Sequence, residues 1–263
     1  MRSSRPAGKI RVKRGKDMKK SFALIFALVM MIFITACGRN ENGNSSAGSP
    51  PTEQNGKTFL IPLEKQLLPP AQEINDAEFE QAYKKFIEAV HNKDLNTLDG
   101  FLDNKIMTSF GGDAGKPYFY EYWNLGDNPE KSELWAELEK IIKLGGVYEK
   151  DEKRFTAPYI FKNFPDELDA FEYFVIIDED VKIYEKDSTD STIVGELDYN
   201  IVKFENNDEF WEMNGEGFIK ITAFSGKEGY IQKKYIRSPI DYRFSLVREK
   251  AGEWKLAFLV AGD

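Results

Sequence analysis

Two residue types that carry much of protein chemistry are almost missing from this 263-residue chain, which has one cysteine, Cys37, and one histidine, His91. A single cysteine excludes an intramolecular disulfide, so the fold must rest on its packed core. Zinc favours cysteine and histidine ligands, so a zinc site has almost nothing to draw on. Serine–histidine or cysteine–histidine catalysis would need His91, which lies one residue past Val90 at the margin of an apolar stripe and reads as a boundary polar residue. Long hydrophobic runs are absent too. The longest, Ser21–Ala36, has 16 residues, short of the ~18–20 that cross a bilayer as a helix. Basic charge is scarce after this run. Nine of the 36 basic residues and one of the 44 acidic ones precede Cys37, which leaves 27 against 43 and a net charge of about −16. That excess disfavours sequence-independent binding to nucleic acid, anionic lipid and other polyanions, and no nucleic-acid partner is expected.

What is present begins with an export signal. Met18-Lys19-Lys20 is a short positive start, and the apolar run after it has the length of a signal-peptide core. Residues 1–17 are basic and stand upstream of a complete signal, so translation is expected to start at Met18. The run ends Ile34-Thr35-Ala36-Cys37-Gly38, which resembles the bacterial lipobox. The resemblance implies a signal peptide over 18–36, cleavage before Cys37, and a diacylglyceryl group on its thiol. Two acyl chains, at about 0.8 kcal/mol per buried methylene, hold a protein to a membrane. The expected location is therefore the bacterial cell envelope, extracytoplasmic and lipid-anchored. Residues 37–72 read as a flexible tether: 38–56 is rich in glycine, serine, asparagine and proline, and Phe59–Pro70 is an extended lead-in.

Helical spacing follows. Asp76 caps a run in which Phe79, Ala82, Tyr83, Phe86, Ile87 and Val90 share a face. Leu95, Leu98, Phe101 and Leu102 predict a second short helix. Asn128-Pro129 opens a third, with Leu134, Trp135, Leu138, Ile141 and Ile142 as its stripe and Gly145-Gly146 as its stop. After Arg154 the chain turns β-rich. Short runs at Phe155–Phe161, Tyr173–Ile177, Val181–Tyr184, Thr192–Leu197, Ile201–Phe204, Gly217–Ala223 and Gly229–Gln232 predict a small barrel. Tyr242–Arg248 and Trp254–Val260 flank the hairpin turn Glu249-Lys250-Ala251-Gly252. The predicted class is α+β: a helical domain over 73–172, a barrel over 173–239, and a closing hairpin over 240–263 that completes the first domain or extends the barrel.

Residues 173–238 resemble a bacterial SH3-type domain. The resemblance rests on Val181-Lys182-Ile183-Tyr184, Ile193-Val194-Gly195-Glu196-Leu197, Ile201-Val202, Phe218-Ile219-Lys220-Ile221, Gly229-Tyr230-Ile231 and Tyr235-Ile236. Phe218 and Tyr230 stand where the family usually has tryptophan. Phe79–Leu102 and the hairpin Tyr242–Leu256 are similar to parts of cone-shaped α+β domains of the nuclear transport factor two-like kind, which implies that the barrel is an insertion. The whole layout resembles SH3-domain-containing bacterial lipoproteins of unassigned function.

Candidate chemistry is thin. Asp178-Glu179-Asp180 offers oxygens but lacks the spacing of a calcium loop and reads as a solvated turn. Asp113 with Glu121, and Asp241 with Asp263, could be written as acid–base pairs, yet 44 acids make such pairs easy to find. The Ser109–Gly115 loop lacks the lysine-serine/threonine ending of a phosphate loop and reads as a turn that buries Phe110. No catalytic residue, metal or cofactor is expected. Trp211, Phe218, Tyr230 and Tyr235 fall within the predicted barrel. They form either part of its core or, as the SH3 resemblance implies, an aromatic surface for a peptide. The expected function is a non-enzymatic binding module for cell-wall peptide or an envelope protein. The alternative is a cone-shaped small-molecule-binding or catalytic domain with an accessory barrel.

Overall fold

The structure, a computed structural model, describes residues 65–71, 74–112, 114–204, 210 and 213–263. Cys37, Asp113 and Trp211, and with them the expected lipid site and one of the four barrel rings, lie outside the described residues. Among the described residues no helix is long and apolar enough to cross a membrane. They form an α+β fold with two sheets, one of five strands and one of seven.

The first lobe opens with α1 (Ala77–His91), which starts where Asp76 accepts from the Phe79 N–H at 3.1 Å. Such a cap contributes about 1 kcal/mol by giving a helix-end N–H its acceptor. Helix α2 (Leu95–Phe101) is capped the same way by Asp94, and α4 (Glu133–Leu144) by Ser132. Their buried faces, Phe79, Phe86, Leu98, Phe101, Leu134, Trp135, Leu138 and Ile141, follow the predicted stripes. Each fully buried ring or leucine side chain contributes roughly 1.5–3 kcal/mol. They pack on a sheet ordered β1-β12-β11-β3-β2. Its strands are β1 (Leu102–Met107), β2 (Val147–Glu149), β3 (Arg154–Ala157), β11 (Arg243–Arg248) and β12 (Trp254–Val260). The terminal hairpin thus supplies two inner strands of this sheet: β12 runs parallel to β1, and β11 antiparallel to β3.

Three local expectations need correcting. The run Phe155–Phe161 is not one strand: β3 stops at Ala157 and α5 (Tyr159–Asn163) begins after Pro158, which has no N–H to continue the ladder. Leu102 starts a strand rather than ending a helix. Lys116–Tyr122, read as part of no element, is helix α3, with proline in its first turn.

The second lobe holds β4 (Tyr173–Ile176), β5 (Val181–Tyr184), β6 (Ile193–Leu197), β7 (Ile201–Phe204), β8 (Phe218–Thr222), β9 (Glu228–Gln232) and β10 (Ile236–Arg237). Their order is β10-β4-β7-β8-β9-β5-β6. The ladder is open rather than a closed barrel, because among the described residues β10, only two residues long, pairs with β4 alone, and β6 with β5 alone. One face encloses a core of Phe174, Ile176, Ile183, Val202, Ile219, Ile221 and Ile231.

A third apolar cluster forms the seam between the lobes: Tyr159 and Ile160 of α5 meet Val175 of β4, Ile201 of β7 and Leu67. The last stretch of the expected tether is seated here. Gln66 bridges Asn200, the Leu67 N–H donates to Tyr199 O at 2.7 Å, and Tyr159 Oη donates to Leu67 O at 2.8 Å. Beside the cluster, buried Arg237 of β10 donates to Tyr242 O at 2.7 Å and faces Glu137 of α4 at 3.6 Å and Asp241 at 3.4 Å.

Candidate functional site

Alternation along three neighbouring strands builds the site. In β8 and β9, Ile219, Ile221 and Ile231 point into the core, so Phe218, Lys220, Tyr230 and Gln232 must lie on the opposite face. In β5, Ile183 is buried and Tyr184 takes the outer side. Tyr184 stands directly across from Tyr230, and Lys220 flanks Tyr230 on the other side. The Tyr184 and Phe218 rings meet edge-on, with centroids 5.7 Å apart. All three rings are half-buried. Lys220 is held by Glu228 at 2.7 Å. Ile193, opposite Tyr184 on β6, extends the apolar surface and is 44% exposed.

Of the four rings singled out in the sequence, this face unites Phe218 and Tyr230. Tyr235 sits elsewhere: it ends the 3₁₀ turn Lys233–Tyr235, packs against the core with Val194 and Met213, and carries Lys234 Nζ 5.3 Å above its ring. Tyr184 is the ring the sequence reading did not count. Its signal was the parity of Val181-Lys182-Ile183-Tyr184, in which the buried aliphatics leave the tyrosine outside.

The β5–β6 hairpin is strongly acidic along its length and at both ends. Between Asp178 and Asp198 the chain has eight carboxylates and two lysines. Tyr199 lies among them, and its phenol is raised above the ordinary range, first by burial and then by the charges of Glu179, Asp178 and Asp198. Asp178-Glu179-Asp180 forms the exposed turn expected of it. Among the described residues no group of three histidine, cysteine or acidic side chains is placed to hold a metal ion.

The remaining candidates are scattered. His91 is exposed at the end of α1, with Nδ1 3.3 Å from Glu139 Oε1. Glu121 is exposed on α3. Asp241 is turned to Arg237. Phe110 does not bury itself as expected: it is 49% exposed, and its ring centroid lies 5.5 Å from the Arg243 guanidinium. That guanidinium is buried and also lies 4.4 Å from the Phe161 centroid, while its Nη atoms donate to Ile240 O at 2.9 Å and Gly262 O at 2.8 Å. Phe110 lies beside this cation rather than in the core.

The first lobe has a ring cluster of its own at the surface, where Tyr122 is 42% exposed, its ring centroid lies 6.1 Å from that of Tyr118, and its hydroxyl is 2.6 Å from that of Tyr242. The lobe's interior is occupied by touching rings, with Phe79 4.7 Å from Tyr148, 4.8 Å from Trp254 and 5.1 Å from Phe155. Outside it, a shallow cleft of about 800 Å³ runs between α1, α2 and the terminal hairpin. Two of its cations are already paired, Arg248 with Glu78 at 2.5 Å and Lys255 with Glu253 at 2.8 Å. Compared with known proteins, the chain matches no family model, no curated protein and no solved structure.

Proposed function

We propose that this chain is a membrane-anchored, extracytoplasmic binding module. Its second lobe is an SH3-like domain that takes an extended peptide, from the cell wall or from an envelope protein, on the face formed by Tyr184, Phe218 and Tyr230. The observation that carries the reading is the placing of three half-exposed rings on one side of three adjacent strands whose other side is fully packed. Aromatic side chains are rigid and amphipathic, and they dominate the energetics of peptide and protein contacts. The lipobox-like Cys37 supplies the anchor, and the first lobe, with its filled interior, serves as the scaffold.

The test is co-sedimentation of the full chain with purified cell walls and with envelope extracts. Tyr184→Ala together with Tyr230→Ala should weaken retention by about tenfold or more, equivalent to about 1.4 kcal/mol, while the thermal midpoint stays close to that of the parent. Cys37→Ala should release the protein from membranes and leave this retention intact. Equal retention of the double variant sinks the aromatic-face reading.

A further inference from the structure

The segment that leads into the first lobe lies on the second as a short added strand. The Ile201 N–H donates to Lys65 O at 2.9 Å, the Leu67 N–H to Tyr199 O at 2.7 Å, and the Gln66 amide to Asp198 O at 2.8 Å. Alternation sends Leu67 inward and leaves Leu68 56% exposed. Leu67 enters the seam cluster among Tyr159, Ile160, Val175 and Ile201, and Tyr159 Oη donates to its carbonyl at 2.8 Å. Lys65 is paired with Glu167. Backbone pairing along a strand, with an alternate side chain in an apolar pocket, is the way a sheet takes an extended peptide. Here the occupant belongs to the chain itself.

That occupant is lightly held. Pro69 and Pro70 have no N–H, so pairing stops after Leu68. Lys65 and Glu167 are 38% and 68% exposed, which makes their ion pair weak. Among the described residues, two ladder bonds, two side-chain bonds and one buried leucine offset the ordering of the segment, and pairings this small open ahead of the rest of a fold. We infer that residues 65–67 are an autoinhibitory occupant of a peptide site, and that an extended peptide with leucine at the place of Leu67 and a cation two residues before it takes the site in their stead. The exchange keeps every contact: the incoming leucine closes the seam, its carbonyl accepts from Tyr159, and the cation meets Glu167. The site is separate from the ring face, because it is built from 198–201, α5 and β4, whereas the rings stand on β5, β8 and β9.

The probe is the segment's own sequence as a free peptide, Lys-Gln-Leu-Leu-Pro-Pro, added to the full chain and to its Leu67→Asp variant, whose own segment cannot enter the cluster. The variant should bind the peptide about tenfold or more tightly than the parent, because the parent's site is open only for the fraction of time its occupant is away. A peptide with aspartate in place of its first leucine should bind neither. Should Leu67→Asp unfold the protein, hydrogen exchange on the parent decides. The Leu67 amide should exchange about tenfold or more faster than the amides of the β8–β9 ladder. Excess peptide should speed Leu67 further while Ile201 stays protected, since the incoming backbone replaces Lys65 O as its acceptor. Equal affinity for parent and variant, no binding to a folded variant, or exchange at Leu67 as slow as in β8–β9 and unmoved by peptide overturns the inference. Tyr184→Ala with Tyr230→Ala should leave the peptide's affinity unchanged. A loss there would mean that the peptide sits on the ring face, and the inference would fall while the reading of that face stood.

Discussion

At the scale of single residues, Asp76 does the most with one side chain. Its Oδ1 caps α1 through the Phe79 N–H, and its Oδ2 accepts from Tyr148 Oη at 2.5 Å and Lys153 Nζ at 2.8 Å. The Lys153 and Tyr148 hydrogen bonds, and then the cap, hold its carboxyl well below the usual carboxylate range. A carboxyl lowered in the folded state contributes stability above its unfolded value near pH 4, and that contribution is lost as pH falls below it. Asp76→Asn keeps a capping oxygen but removes the charge. It should cost about 1–3 kcal/mol at neutral pH, and the difference from the parent should shrink between about pH 4 and pH 2. Urea titrations at several pH values measure this, and a difference that stays constant with pH would contradict it. Asp76 was legible as a cap in the sequence. Its partners were not, because Tyr148 and Lys153 lie far along the chain and nothing local connects them to it.

At the scale of elements, helices with a clean apolar stripe were legible, and elements whose identity depends on a distant neighbour were not. Strand β2 is three residues long and exists because β3 folds back beside it. The aromatic run of α3 has strand-like composition, yet it is helical where it packs beside β1. The outer face of β5, β9 and β8 needed only alternation to be read, but the placing of Tyr184 across from Tyr230 needed the strand order. Two glycines separate packing from propensity. A Cβ on Gly229 of β9 would overlap Ile183 Cγ2 and lie 3.2 Å from Tyr184 O, so Gly229→Ala should destabilise by about 1–3 kcal/mol through overpacking where β5 meets β9. Gly100 in α2 has nothing within 4 Å of that position, and Gly100→Ala should stabilise by about 0.5–1 kcal/mol through helix propensity. Denaturant midpoints of the two variants should move in opposite directions, and movement in the same direction would show that one environment is misjudged.

At the scale of the whole molecule, the seam decides whether the lobes behave as one body. Arg237 is 7% exposed at its side chain and Glu137 13%, and each belongs to a different lobe. Arg237→Met removes the cation that faces Glu137 and Asp241 and leaves Glu137 with Lys140 Nζ, 3.0 Å away, as its cation, which should cost about 1–3 kcal/mol. Adding Glu137→Leu should recover part of that loss. A cost below about 1 kcal/mol for Arg237→Met would show that the seam is held by its apolar cluster alone. The switch from helical to alternating periodicity after Arg154 falls at β3, inside the first sheet rather than between the two sheets. That the last hairpin returns to the first sheet follows from long-range pairing, which periodicity does not record.

That return has a consequence in time. In the first sheet, β11 lies directly against β3, with Phe244 opposite Ala157, yet the whole second lobe separates them along the chain. Wherever the polypeptide emerges amino terminus first, the helices that begin the first lobe appear before β11 and β12 do. The second lobe, contiguous from β4 to β10, can close while they wait. The lobe that begins first along the chain is therefore complete only when the chain's last strands are available, and until then Phe79, Phe86 and Phe155 have no β11 or β12 to cover them.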